Sequence, residues 1–124
     1  MLHILSIALG GALGALGRYG LTLLSHSITG FSGLGTFVAN IVGSFLMGMG
    51  WMLLHHINVS TTTKLFLMTG CLGAFTTFST FNLEILQLVS AGKIKLGISY
   101  LLMSIVGGLS AVALGALIAK SFLR

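Results

Sequence analysis

The chain contains very few charged residues. Only 6% of its 124 residues are charged, and Glu84 is the only acid. Soluble domains carry about 25% charged residues, so this composition cannot cover a surface that faces water. Hydrophobic residues make up 56% of the chain and the mean hydropathy is +1.11. The sequence therefore predicts an integral membrane protein.

The scarcity of acids also excludes most enzyme chemistry. The sequence has no Ser–His–acid set, no phosphate-binding loop and no paired carboxylates. His3, His26, His55 and His56 lie near the ends of apolar stretches, without the spacing of a metal site. We therefore predict that the protein is not an enzyme and that it binds no metal through side chains.

Proline is absent, and the lone Cys71 cannot form an intramolecular disulfide. The net charge of +5 comes from six Lys and Arg residues spread over the ends of the apolar stretches. Nucleic-acid binding needs a basic patch, so no nucleic-acid partner is predicted. The bases are instead expected to anchor the protein among membrane lipid headgroups.

Four apolar stretches fill the chain, each near or above the ~20 residues that a spanning helix needs. They cover roughly 3–24, 34–55, 64–90 and 96–120 and are joined by short linkers. The N-terminus lacks the cationic region of a signal peptide, so the first stretch is interpreted as a membrane helix. The sequence thus predicts one all-α, multi-pass domain over residues 1–124 with four transmembrane helices.

Four spans would place both termini on one side of the membrane. The six bases then divide evenly between the two sides of the membrane. One side would carry Lys64, Lys120 and Arg124, and the other would carry Arg18, Lys93 and Lys95. The positive-inside rule gives no preferred orientation in this case. Either the chain inserts in both orientations and pairs antiparallel, or it has a weak preference for one orientation that counting the bases does not detect. Because glycine-rich helices pack closely and leave little room for an internal pore, a pathway is expected at a subunit interface.

The third stretch contains GAFTTFSTF, residues 73–81. Its threonines and aromatic residues form helix poorly, and hydroxyl side chains offer the backbone alternative hydrogen bonds. The helix is predicted to break near 73–77 and to resume near 78. Broken membrane helices present free carbonyls and a positive N-terminal end, from which ion sites are built. The alternative is a continuous, kinked helix whose hydroxyls bond to its own carbonyls.

Polar residues in two other stretches could line the same path. In the second stretch Thr36, Asn40 and Ser44 are spaced i, i+4, i+8 and share one helix face. Asn40 must find hydrogen-bond partners at this depth, either by bridging two helices or as a donor that lines a pathway. In the fourth stretch Tyr100 and Ser104 form a second possible polar track, unless their hydroxyls bond to their own helix.

The remaining candidates lie on the first and third stretches. The glycines of GGALGALGRYG, residues 10–20, favour close helix packing. Arg18 is either an interfacial anchor or a group that attracts anions at the mouth of an aqueous vestibule. Phe78, Phe81 and Glu84 form one stripe at i, i+3, i+6. A phenyl ring presented edge-on can contact an anion, although such rings also pack against lipid or other helices.

The segments GGALGALGRYG, GTFVANIVGSF and GCLGAFTTFSTF, in this order, resemble the small fluoride channels called Fluc or CrcB. The resemblance covers the whole chain, and GAFTTFSTF is its most specific part. It implies passive, selective export of fluoride by an antiparallel, dual-topology homodimer in the bacterial inner membrane. It also implies two fluoride pathways and a structural sodium ion at the dimer centre.

The resemblance further implies roles for individual residues. The fluoride pathway would be lined by Asn40, Phe78, Ser79, Thr80, Phe81 and Tyr100. The vestibule residues would be Arg18 and Glu84, and the sodium ligands would be the backbone carbonyls of Gly73 and Thr76. Ser104 extends the polar track, but glycines follow where further hydroxyls would be expected. No acid is expected among the pathway residues until Glu84, towards one mouth.

The rival interpretation is a small, dual-topology drug/proton antiporter. That mechanism needs a membrane-embedded carboxylate, whereas the first stretch has no acid and Glu84 lies past the midpoint of the third. A non-conducting assembly protein with four spans is a third class, but it would leave the polar residues aligned on three helices unexplained. Fluoride efflux from liposomes would separate these classes.

Overall fold

The computed structural model describes residues 1–123, in which every regular element is a helix. The elements are α1 (Leu2–Thr29), α2 (Gly33–His56), α3 (61–75), α4 (Phe78–Ser90) and α5 (Ile94–Phe122). Helix α3 is α-helical over Thr61–Lys64, π-helical over Leu65–Leu72 and α-helical again over Gly73–Phe75. Arg124, one of the bases in the charge comparison, lies outside the described residues.

Three helices, α1, α2 and α5, have the length and apolar composition to cross a membrane. The predicted third stretch, 64–90, is divided between α3 and α4. The 13 residues of α4 are too few to cross a bilayer alone. The prediction of an all-helical membrane chain with a broken third helix is therefore confirmed. Of the described helices, three are continuous and long enough to span a membrane.

Helix α1 is longer than the predicted stretch, which ended at residue 24. It continues to Thr29, whose hydroxyl donates to Ser25 O at 2.8 Å. The helix ends at Gly30, whose φ of 71° is left-handed and whose N–H donates to His26 O at 2.9 Å. Glycine adopts this conformation without steric cost, which explains the position of the turn.

Glycines bring α2 and α5 into backbone contact. A Cβ atom built on Gly48 would collide with the carbonyl oxygen of Val112, and one on Gly115 would collide with that of Phe45. The two helices consequently pack along much of their length. Such close approach is the usual function of small residues between membrane helices.

The π-helical part of α3 packs against the glycines of α1. A Cβ atom on Gly10 would collide with Phe66 O, and one on Gly14 would collide with Cys71 O. The glycines of the first stretch thus serve helix packing, as predicted. The π geometry itself was not predicted, because no residue pattern over Leu65–Leu72 distinguishes it from an α-helix.

Candidate functional site

The third helix breaks where GAFTTFSTF predicts. Thr76 (φ −85°, ψ 150°) and Thr77 (φ −149°, ψ 126°) are extended, and α4 begins at Phe78. Thr77 is the N-cap of α4, and its Oγ1 accepts the N–H of Thr80 at 3.3 Å. The hydroxyl competes with the helix for a backbone donor, which is the predicted cause of the break. The alternative of a continuous, kinked helix is wrong.

Asn40 connects α2 to this break. Its Nδ2 donates to Thr77 O at 3.0 Å, and its Oδ1 accepts the N–H of Thr77 at 2.8 Å. Both ends of the amide are therefore bonded to one extended residue. The bridging interpretation of Asn40 is confirmed. Because an amide NH₂ carries two hydrogens, one N–H remains for a further acceptor.

The break leaves two carbonyls without the donors that a continuous helix would supply. In such a helix Gly73 O would accept from Thr77 N, and Thr76 O from Thr80 N. Both donors bond to side chains instead, to Asn40 and to Thr77. Gly73 is exposed in the single chain and Thr76 is half-buried. These carbonyl oxygens fit a hard cation, which prefers oxygen ligands.

Arg18 lies at the same break. Its Nε donates to the carbonyl of Ala74 at 3.2 Å, across 56 residues of sequence. A cationic side chain there interacts favourably with the negative C-terminal end of α3. The side chain is thus held against the helix end, and its predicted role in attracting anions to a vestibule stays a prediction.

Aromatic rings form the wall that follows the break. The centroids of Phe78 and Phe81 are 5.9 Å apart with an interplanar angle of 41°. Phe78 is 73% exposed, whereas Phe81 is 3% exposed and meets Tyr100 edge-to-face at 5.1 Å. Phe31 also meets Tyr100 edge-to-face, at 6.1 Å. The sequence interpretation missed Phe31, because no local spacing links it to the other rings.

Glu84 lies in a buried cluster between α2, α4 and α5. Its Oε1 accepts the hydroxyl of Thr36 at 2.7 Å, and its Oε2 accepts the hydroxyl of Tyr100 at 2.8 Å. Glu84 is 4% exposed. Its carboxylate thus contacts Tyr100 directly. The predicted role of Glu84 as a vestibule residue towards one mouth stays a prediction. Thr36 was recognised only as a member of a polar face, and its contact with Glu84 was missed.

The hydroxyls predicted to line the pathway divide into two groups. Ser79 Oγ lies 3.4 Å from Thr77 Oγ1, and Thr80 Oγ1 accepts from Thr77 Oγ1 at 3.2 Å, so both belong to the cap of α4. Ser104 Oγ is buried and has no hydrogen-bond partner among residues 1–123. The alternative in which Tyr100 and Ser104 bond to their own helix is therefore wrong. An unpaired buried O–H is available to donate to an anion.

Side-chain metal ligands are not clustered in the described part of the chain. Residues 1–123 contain no group of three or more His, Cys, Asp and Glu residues that could hold a metal ion. The groups that fit a hard cation at the break in the third helix are backbone oxygens, Gly73 O and Thr76 O.

Comparison with known proteins agrees with the resemblance seen in the sequence. The family model described as CrcB-like protein, Camphor Resistance (CrcB), matches residues 5–116. A fluoride-specific ion channel FluC from Desulfotalea psychrophila is 42% identical over 123 residues, 99% of this chain and 96% of that protein. A protein of the same name from Salinibacter ruber is 45% identical over 117 residues, with 94% and 88% covered. One from Francisella tularensis subsp. tularensis is 40% identical over 119 residues, with 92% of each covered. Because the family model matches most of its length, the chain belongs to the CrcB family.

Proposed function

We propose that the protein is a passive, fluoride-selective channel of the bacterial cell membrane, and not an enzyme. The observation that carries this function is the 40–45% identity, over nearly the whole chain, to proteins named fluoride-specific ion channels. The three spanning-length helices agree with a multi-pass membrane location. The relatives' names give the antiporter interpretation no support.

The geometry suits a small anion that binds water tightly. Such an ion crosses only if the pathway replaces its water with donors. The second N–H of Asn40, the hydroxyls of Ser79 and Thr80, and the unpaired hydroxyl of Ser104 supply them. Phe78 and Phe81 add the positive edges of their rings. Tyr100 belongs to the same pathway, through its contact with Phe81.

The channel is proposed to be an antiparallel homodimer. Phe78 is 73% exposed in the single chain, so a pathway that it lines needs a further surface opposite its ring. If α3 and α4 together make one crossing, the chain crosses the membrane four times and its bases divide evenly between the two sides. This even division supports insertion in both orientations. Arg18 would then stand in the vestibule. Glu84, which is buried in the single chain, would lie at the end of the polar pathway, towards one mouth.

A structural sodium ion is proposed at the centre of this dimer. Gly73 O and Thr76 O are released from helical hydrogen bonding, and each chain would contribute these two carbonyls. A bound sodium would neutralise opposed carbonyl dipoles in a region of low dielectric. The ion holds the subunits together and is not transported.

Efflux from liposomes tests the function. Purified protein is placed in liposomes loaded with potassium fluoride, valinomycin is added, and external fluoride is followed with an electrode. We expect rapid fluoride efflux and no chloride efflux from matched chloride-loaded liposomes, with protein-free liposomes as the control. Equal passage of chloride would contradict selectivity. Transport of an organic cation driven by a proton gradient, without fluoride efflux, would favour the antiporter.

A further inference from the structure

Two side chains compete with the backbone at the break in the third helix. Asn40 Oδ1 takes the N–H of Thr77 at 2.8 Å, and Thr77 Oγ1 takes the N–H of Thr80 at 3.3 Å. These N–H groups are the ones that a continuous helix would direct to Gly73 O and Thr76 O. Each side chain therefore removes the donor of one carbonyl.

The two bonds have no substitute within the same segment. The hydroxyl of Thr76, the other threonine at the break, donates to Leu72 O at 3.0 Å, and no backbone N–H of residues 1–123 donates to it. Arg18 occupies a different carbonyl, that of Ala74. Loss of either competing side chain would therefore let a backbone N–H return to its helical carbonyl, since a buried donor left unpaired is costly.

We propose that Asn40 and Thr77 are positioning residues for the cation site, which they keep open by capturing the two N–H groups that would cover its carbonyl oxygens. The inference rests on the proposed sodium site and assigns these side chains no contact with the ion. It gives Asn40 two tasks, because the same amide also offers its second N–H to the fluoride pathway.

Gly43 supports this arrangement from the opposite helix. A Cβ atom built on Gly43 would collide with Cγ2 of Thr76. Gly43 is buried on α2, one turn beyond Asn40. The face of α2 that carries the competing amide therefore also supplies the space in which the extended Thr76 lies.

Sodium-dependent stability provides the test. The full-length protein is purified in detergent, and its thermal unfolding is followed as sodium replaces N-methyl-D-glucamine at constant ionic strength. We expect sodium to raise the unfolding temperature of the parent with a measurable half-saturating concentration, because an ion that binds only the folded state stabilises it. Potassium at the same concentrations controls for ionic specificity.

Thr77→Val removes the competing hydroxyl and keeps the branched shape, whereas Thr77→Ser keeps the hydroxyl. We expect Thr77→Val and Asn40→Leu to raise the half-saturating sodium concentration roughly tenfold, the effect of one competing hydrogen bond. Thr77→Ser should keep the parent value. Thr22→Val is the matched control, because within residues 1–123 the Thr22 hydroxyl bonds only to Arg18 O, in its own helix.

The outcomes separate the inference from the proposed function. If sodium stabilises the parent, but Thr77→Val and Asn40→Leu keep its half-saturating concentration, the positioning role is wrong and the sodium site stands. If sodium does not stabilise the parent more than potassium does, the sodium site itself is wrong. Should Thr77→Val not fold, Thr77→Ala removes the same hydroxyl from a smaller side chain, and an unchanged sodium response there would equally overturn the inference.

Discussion

At the scale of single residues, Glu84 shows how a lone acid is accommodated inside a membrane protein. Its two carboxylate oxygens each accept a hydroxyl, from Thr36 and from Tyr100. Burial of an acid without partners would cost several kcal/mol, and hydrogen bonds to both oxygens offset this cost. The same contacts bring the acid to Tyr100, on the proposed pathway, so an anion that passes Tyr100 comes close to the carboxylate.

The two pathway phenylalanines differ in burial, which separates function from packing in a mutation test. We expect Phe78→Ile and Phe81→Ile each to reduce fluoride efflux at least tenfold, because isoleucine keeps bulk but lacks the positive ring edge. Phe81→Ile should also lower stability by ~1–3 kcal/mol, since Phe81 is 3% exposed and packs on Tyr100. Phe78→Ile, at a residue that is 73% exposed, should leave stability nearly unchanged.

Leu83→Ile is the matched control for these variants. Leu83 is on the same helix as both rings and is 53% exposed. This variant should conduct fluoride at the parent rate. Efflux is measured from liposomes that contain equal amounts of folded protein. Parent rates in both phenylalanine variants would mean that the rings only pack.

At the scale of the helices, the contact between α2 and α5 depends on two glycines. We expect Gly48→Ala and Gly115→Ala each to destabilise the protein by ~1–3 kcal/mol or more, because each new methyl group meets a backbone carbonyl that cannot turn away. Thermal unfolding in detergent measures the loss.

Gly20→Ala provides the comparison. A Cβ atom at Gly20 in α1 meets nothing within 4 Å, and alanine favours a helix over glycine by ~0.5–1 kcal/mol. Its unfolding temperature should therefore equal or exceed that of the parent. Equal unfolding temperatures in all three variants would show that α2 and α5 can move apart to admit a methyl group without losing stability.

The break in the third helix is the element that local sequence predicts best. Threonines, serine and phenylalanines crowd into GAFTTFSTF, and competition from a hydroxyl operates over three or four residues. The structure accordingly places the extended residues at 76–77, inside the predicted interval. The π-helical segment just before the break was not predicted. Its backbone packs on Gly10 and Gly14 of α1, so its geometry depends on a helix distant in sequence.

At the scale of the whole molecule, orientation in the membrane decides whether an antiparallel dimer forms. The connection between α2 and α3 is short and begins at Ile57. Asn58→Lys combined with Val59→Lys should fix one orientation, because positive charge retains a short loop on the cytoplasmic side. We expect fluoride efflux to fall by at least tenfold, since copies of one orientation cannot pair antiparallel.

A second variant tests whether the lost activity reflects pairing. Ser27→Lys combined with Ala91→Lys places the added charges at the opposite ends of the helices, and this variant should be fixed in the reverse orientation. Each variant alone should be inactive, whereas co-expression should restore efflux. Full activity from either variant alone would contradict the antiparallel dimer.

The sequence alone determined the membrane location, the helical class, the position of the break and the family resemblance. Each follows from properties that neighbouring residues carry together, such as apolar length and the scarcity of acids. It also marked Asn40, Phe78, Phe81, Tyr100 and Ser104 as pathway candidates. That assignment stays a prediction.

Tertiary structure alone decided which polar groups satisfy one another. Asn40 bonds to Thr77 across 37 residues, and Thr36 bonds to Glu84 across 48. No local periodicity encodes such pairs, because helical spacing relates residues only within a few turns of one helix. Only the packing of α2 against the broken third helix and α5 shows that Asn40 bonds to the break and that Glu84 is buried. The same packing leaves the Ser104 hydroxyl without a partner among residues 1–123.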